Sequence, residues 1–401
     1  MRSGRAQSGA VAGPDVAGRR AALVRLGDGV LYAAAVPLGV PGLAAAQAPA
    51  PGRAPGPVPA PAAAARGLRI WGYYPWWLRE HWRGRKLSFY EGLNFFHLDI
   101  ADDARLPQRH GWPEEWQALR TALRAQGQAL HLSVTLFEAA RFERLFTDER
   151  RRARLLAALL ELAPTCDGVH LDFEVFDPAS AAALAGLRQF CRALRDGLRA
   201  RPAPVALSAF GVMGARTELY DRATLALFDQ VVVQGYDSHH ADSARAGPVA
   251  PLRGPYAVTW ENTLRHYLAL GVDRRQLFFG LPFFGYEWPT TSDAVGAATR
   301  GKGTEVTYAL KDPVRLPDIR ISARERVAAH GLRRDGVSGS PYYTFRDAAG
   351  GWRQGWFEDE ASLGEKLAFA RREALGGVAV FPVGYDDGAF DTLLERAATA
   401  R

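Results

Sequence analysis

Cys166-Asp167-Gly168-Val169-His170-Leu171-Asp172-Phe173-Glu174 reads as the end of a buried β-strand that carries chemistry on one face. In a strand, residues two apart point the same way, roughly 7 Å apart along the chain. Val169, Leu171 and Phe173 therefore share an apolar face, while His170, Asp172 and Glu174 share the other. Burying two carboxylates is costly unless they are paired or used.

Seven further stretches resemble this strand: Leu68–Tyr74, Leu93–Asp99, Ala129–Phe137, Pro204–Phe210, Gln230–Tyr236, Leu277–Phe284 and Gly377–Val383. Most are near-continuous apolar runs, as parallel strands covered on both faces require. Amphipathic segments lie between them, at Glu114–Ala125, Arg151–Leu162, Ala181–Arg199, Glu261–Leu270 and Ser362–Glu373. Eight strand–helix repeats predict an α/β fold, a (β/α)8 TIM barrel over residues 68–401. The connection between Phe284 and Gly377 is too long for one repeat. It holds strand-like runs at Thr304–Leu310, Ser340–Phe345 and Arg353–Phe357, so a small α+β insertion is expected between strands 7 and 8, at about residues 289–358.

Barrel active sites lie at the C-terminal strand ends. Those ends here carry Tyr73, Asp99, Asp172, Glu174, Gln234-Gly235-Tyr236-Asp237, Tyr286-Glu287-Trp288 and Phe381. Carboxylates among aromatic rings suit a sugar cleft, because flat rings stack on pyranose faces and carboxylates bind hydroxyls or move protons. Trp76, Trp77 and Trp82 either line such a cleft or cap the barrel.

The formal charge of +7 is carried mostly by arginines scattered through helix-like segments, which reads as solvated helices rather than a nucleic-acid surface. No Gly-rich phosphate loop follows a strand, so no nucleotide cofactor is implied. His239-His240 near Asp242 reads as a solvent-facing pair rather than a metal site. The two cysteines, Cys166 and Cys191, fit no metal pattern and read as buried thiols. Residues 1–48 read as an export signal: Arg19-Arg20 precede a weakly apolar run that ends at Ala46-Gln47-Ala48, a small-x-small cleavage site. The paired arginines raise the twin-arginine route beside the general secretory one. The run is too interrupted for a stable membrane span. Residues 49–67 are a Pro/Ala-rich linker. A periplasmic or secreted monomer is expected.

With these residues in place, the chain resembles glycoside hydrolase family 18, the chitinase-like family. The family's strand-4 motif Asp-x-x-Asp-x-Asp-x-Glu reads here Asp167-Gly-Val-His170-Leu-Asp172-Phe-Glu174. Its Met-x-Tyr-Asp reads Gln234-Gly235-Tyr236-Asp237. Gly280-Leu281-Pro282-Phe283-Phe284-Gly285-Tyr286-Glu287-Trp288 also matches, as does Trp356-Phe357-Glu358-Asp359 with Ser362-Leu363 and Lys366-Leu367. The likeness is nearest the bacterial branch with spore-cortex and peptidoglycan N-acetylglucosaminidases. It implies substrate-assisted, retaining cleavage of β-linked polysaccharides or oligosaccharides that carry 2-acetamido sugars. It implies Glu174 as the acid, Asp172 as orienter of the acetamido group and Tyr236 as its hydrogen-bond partner. Asp237, Gln234, Tyr73, Trp288 and Phe381 would bind substrate, without cofactor or metal.

Two positions depart from the family pattern. His170 replaces an inner aspartate; it either hydrogen-bonds Asp172 and modulates it, or is a satisfied barrel-core histidine. Phe381 stands where the family usually has a tryptophan on the floor of the cleavage subsite. The alternative reading is a non-catalytic chitinase-like protein that holds glycan without cutting it.

Overall fold

The computed structural model describes residues 67–212 and 219–400. The export signal and nearly all of the linker lie outside them. Apolar runs become strands β1 (Arg69–Pro75), β2 (Gly92–Asp99), β3 (Ala129–Leu136), β4 (Gly168–Phe173), β5 (Ala206–Gly211), β6 (Gln230–Val233) and β7 (Leu277–Pro282). A second sheet follows, of β8 (Phe284–Thr290), β9 (Thr304–Thr307), β10 (Arg333–Arg334), β11 (Pro341–Arg346) and β12 (Trp352–Trp356). Then β13 (Gly377–Phe381) returns to the first sheet. All eight strands of that sheet pair in parallel and close in the order β1-β13-β7-β6-β5-β4-β3-β2. The expected (β/α)8 barrel is the fold, with the second sheet inserted between its seventh and eighth strands.

The outer face of β4 shows why it closes. Phe173 meets Phe142 and Phe146, whose helix, Ala139–Thr147, also meets Phe190 of the helix Ala181–Arg199. Those helices approach so closely that a Cβ on Gly186 would sit 1.8 Å from the Phe146 carbonyl oxygen. The helix Ala139–Thr147 was not apparent in the sequence: it is short, and Glu138 at its start makes no side-chain cap. Asp148 and Ser180 do cap the helices that follow them.

Two strand ends differ from expectation in ways that build the site. The seventh run breaks at Phe283, whose N–H bonds the Phe381 carbonyl at 2.8 Å, and the chain continues as β8 in the other sheet. The sixth strand stops at Val233, so residues 234–237 leave the sheet as a loop. At Gly235 a Cβ would lie 2.0 Å from the Gly280 carbonyl oxygen, and one on Gly280 would lie 2.7 Å from the Tyr236 ring. Two glycines thus let the loop cross β7 closely enough to seat Tyr236.

The inserted sheet is antiparallel, in the order β10-β11-β12-β8-β9. Its own small core is Val306, Ala323, Tyr343 and Phe357. Glu287 on β8 takes a bidentate pair from Arg326 at 2.7 and 3.0 Å and a hydrogen bond from the Tyr343 hydroxyl at 2.8 Å. Among the described residues, no helix is long and apolar enough to cross a membrane. Cys166 and Cys191 are free buried thiols.

Candidate active site

Strand β4 delivers its polar face to the C-terminal mouth of the barrel. Asp172 is buried there, while Glu174, just past the strand, is half-buried, its N–H bonded to the Leu136 carbonyl at 3.0 Å. Burial, reinforced by the Glu174 charge, holds the Asp172 carboxyl well above the ordinary carboxylate range. Both causes act against the charged form, so the two acids favour holding a proton between them. The Tyr73 hydroxyl is pushed up by burial, and then by Asp172, Tyr236 and Glu174. One electrostatic neighbourhood therefore joins β1, β4 and the loop after β6.

Phe381 forms the floor. Tyr236 stacks on it at 5.8 Å with 29° between ring planes, and Tyr73, Phe96 and Phe284 meet it edge-on at 5.8, 5.2 and 6.1 Å. Asp237, at φ +64°, sits in the left-handed backbone region. It accepts from Gln234 at 3.5 Å and from the Tyr286 hydroxyl at 3.3 Å. A second polar group lies on β2 and β3, where His97 Nδ1 meets Thr135 Oγ1 at 2.6 Å and Thr135 donates to Asp99 at 3.2 Å. Thr135 is the register partner of Asp172, which places this group beside the carboxyl pair.

The hydrogen bonds decide between the two readings of His170. His170 does not serve Asp172: its Nε2 bonds the Tyr73 hydroxyl and its Nδ1 bonds Ser208 Oγ, both at 2.9 Å. Burial, reinforced by His131, lowers His170 to about 3, so the ring stays neutral. It is a satisfied core histidine. Trp288 is fully buried, in ring contact with Tyr286 at 5.7 Å, and its N–H is shared by the His240 and Ala241 carbonyls at 3.2 Å. Tyr73 is buried, edge-on to Phe381, with its hydroxyl on His170. In addition, His239 is half-buried rather than solvent-facing, with Nδ1 2.9 Å from the Pro248 carbonyl oxygen.

Among the tryptophans, Trp77 is a cap, buried with its N–H on Tyr385 at 3.3 Å, while Trp76 stacks on His110 at 3.9 Å. Sequence reasoning missed Ser208 and Thr135. Ser208 was within reach, because its register opposite His170 follows once β4 and β5 are aligned. Tyr286 stood among the strand-end residues, but its bond to Asp237 follows only once the break at Phe283 is known.

A family model, glycosyl hydrolases family 18, matches residues 70–386. The chain belongs to this family. It is a chitinase-like family-18 chain related to chitinases and chitobiases. It is 26% identical over 244 residues to YdhD of Bacillus subtilis (strain 168), by name a sporulation-specific glycosylase. That match covers 57% of this chain and 50% of YdhD, so the chain spans about half the length of that relative. It is 23% identical over 253 residues to a di-N-acetylchitobiase of Rattus norvegicus, covering 60% of this chain and 68% of the rat protein. The same architecture occurs in a family-18 chitinase of Cycas revoluta solved with allosamidin, with a TM-score of 0.68 at 20% identity. That likeness covers 82% of this chain and 98% of the chitinase. A chitinase-like agglutinin of Robinia pseudoacacia superposes equally well, at TM-score 0.68 and 20% identity, covering 82% and 99% of the two chains. A chitinase and an agglutinin share the fold, so function has to be argued from the side chains at the mouth.

Proposed function

We propose that this chain is an exported glycosidase that cleaves β-linked N-acetylglucosamine glycans with retention, using the substrate's own acetamido group as nucleophile. The observation that carries the reading is the Asp172–Glu174 pair, two acids on one strand face, with Asp172 buried and its carboxyl raised, above an aromatic floor. A general acid works best when its own carboxyl is raised toward the working pH, and a second acid on the same face acts in that direction whenever it is ionised.

In this scheme Glu174 gives its proton to the glycosidic oxygen as the C1–O bond breaks. The acetamido oxygen attacks C1 from the other side, forming an oxazolinium ring. Asp172 orients the acetamido N–H and stabilises the positive charge. The Tyr236 hydroxyl hydrogen-bonds the acetamido oxygen, and its stacking on Phe381 fixes the ring. Water then attacks C1, giving its proton to the Glu174 carboxylate and reopening the oxazolinium. Asp237, set by Gln234 and Tyr286, binds sugar hydroxyls.

Glu174→Gln tests the assignment. It keeps shape but has no proton to transfer, so turnover of a chromogenic N-acetyl-chitooligosaccharide should vanish while glycan binding persists. A variant with more than a few per cent of wild-type turnover would refute Glu174 as the acid. A wild-type chain that binds the oligosaccharide without cutting it would establish the lectin reading.

A further inference from the structure

Four buried polar atoms beneath the site have no hydrogen-bond partner among the described residues: Oδ1 of Asp172, Oγ of Ser133, and both amide atoms of Asn94. Their side chains come from three consecutive strands, β4, β3 and β2, and all are at most 1% exposed. Strand register groups them: Asn94 lies between Tyr73 and His131, Ser133 lies beside His170, and Thr135 beside Asp172. Tyr73 reaches His170 from β1 to β4, and His131 approaches Ser208 at 3.4 Å from β3 to β5. Neither pair of strands is adjacent, so these side chains meet inside the barrel. Residues at paired positions of neighbouring strands share a face, which points Asn94 and Ser133 inward as well.

A buried polar group without a partner costs about 1–3 kcal/mol. Four together would cancel much of the roughly 5–15 kcal/mol by which a folded domain is stable. The nearest ring does not help, since His170 spends both nitrogens on Tyr73 and Ser208. The unmet groups do match the valence of water. Asn94 offers donors and an acceptor, Ser133 offers one of each, and Asp172 Oδ1 accepts. A buried water makes about three hydrogen bonds to such groups.

We propose that Asn94 and Ser133 hold ordered water against the inward oxygen of Asp172, and that through this water they are positioning residues for its carboxyl. The water anchors one Asp172 oxygen from below and leaves the other toward the mouth. The inference about water stands on geometry; its kinetic consequence rests on the glycosidase reading.

A crystal structure of the protein at about 1.5 Å should show water within about 3.2 Å of Asp172 Oδ1 and of Ser133 or Asn94. Side chains rotated to bond one another directly, with no water between, would overturn it. Ser133→Ala and Asn94→Leu should each lower kcat about tenfold with KM within twofold. The double variant should fall no further than the worse single, because both act through one water. Multiplying losses, or unchanged kcat in both singles, would refute the positioning role. If Asn94→Leu does not fold, Asn94→Ala replaces it in the same comparison. A wild-type chain inactive on every 2-acetamido glycan would overturn the glycosidase reading, while the crystal would still decide the water.

Discussion

His170→Asn should flatten the acid side of the stability curve and leave the acid limb of the activity profile where it is. Unfolded, the imidazole titrates near 6.5. Folded, burial holds it at about 3. Between those values the unfolded chain binds almost one proton more than the folded chain, so stability rises with pH across that window and is lost as pH falls. From pH 6.5 to 4 the loss accumulates at about 1.4 kcal/mol per unit, or about 3 kcal/mol in total through this one ring. His131, buried and lowered to about 4, adds a similar loss that levels off near pH 4. Paired carboxylates add to acid denaturation in wild type and variant alike, so the difference between the two isolates His170. Urea midpoints measured from pH 7 to 4 would show it. The variant starts lower at pH 7, having lost the bonds to Tyr73 and Ser208, but its curve should fall less steeply. Parallel curves would refute a neutral, buried His170. A shifted acid limb of kcat would show instead that the ring titrates in the working range.

Asp172→Asn and Tyr236→Phe should each lower turnover by roughly 10²-fold, the scale of losing a positioned charge-stabilising group; equal wild-type rates on matched substrates with and without the 2-acetamido group would refute assistance by the substrate. Lys366→Met should destabilise by about 3–5 kcal/mol, because Glu358 is then left as an unpaired carboxyl in the core. The pair is 2.7 Å apart with both side chains buried, and burial already holds Glu358 above its ordinary range. Adding Glu358→Leu should recover most of the loss, and chemical denaturation that shows no recovery would argue against an isolated buried pair. For export, a reporter fused after Ala48 should leave the cytoplasm, and Arg19-Arg20→Lys-Lys should block it only on the twin-arginine route; cytoplasmic retention of the native signal would sink the export reading.

The barrel was legible because its strands are nearly pure apolar runs, each long enough to be told from the amphipathic segments between them. The carboxyl pair was legible for a simpler reason. Asp172 and Glu174 are two apart on one strand, and alternation alone puts them on one face. What escaped depends on contacts between distant residues. Trp288 sits beside Tyr286 and Glu287 in the sequence, and the reading took the run past strand 7 as entering the cleft. The break at Phe283 sends that run into the second sheet, where Trp288 pairs with Gln354 of β12 while Tyr286 on the same strand still reaches Asp237. Likewise His170 shares a face with Asp172, and the same alternation suggested that they bond. A shared face sets direction, not partner. Tyr73 on β1 and Ser208 on β5 reach the two ring nitrogens across the barrel, which local spacing cannot reveal.

That choice of partner changes how the acid pair must work. A charged histidine beneath Asp172 would favour its carboxylate and so leave the proton of the pair on Glu174. The neutral His170 offers no such charge, and the barrel interior below Asp172 supplies hydroxyl, amide and imidazole groups rather than a cation. Burial then favours the neutral acid at 172, and the Glu174 charge raises it further; like-charge repulsion makes an ionised Asp172 act in the same sense on Glu174. One proton is therefore shared by two sites on one strand face. The values seen in a pH–rate profile belong to the pair rather than to either residue. Removing the second acid should thus move the proton of the first: in Asp172→Asn, the group that limits the alkaline side of the profile should titrate lower than in wild type, because Glu174 no longer has a negative neighbour raising it. A profile that kept its alkaline limb while losing rate would mean that the two carboxyls act independently.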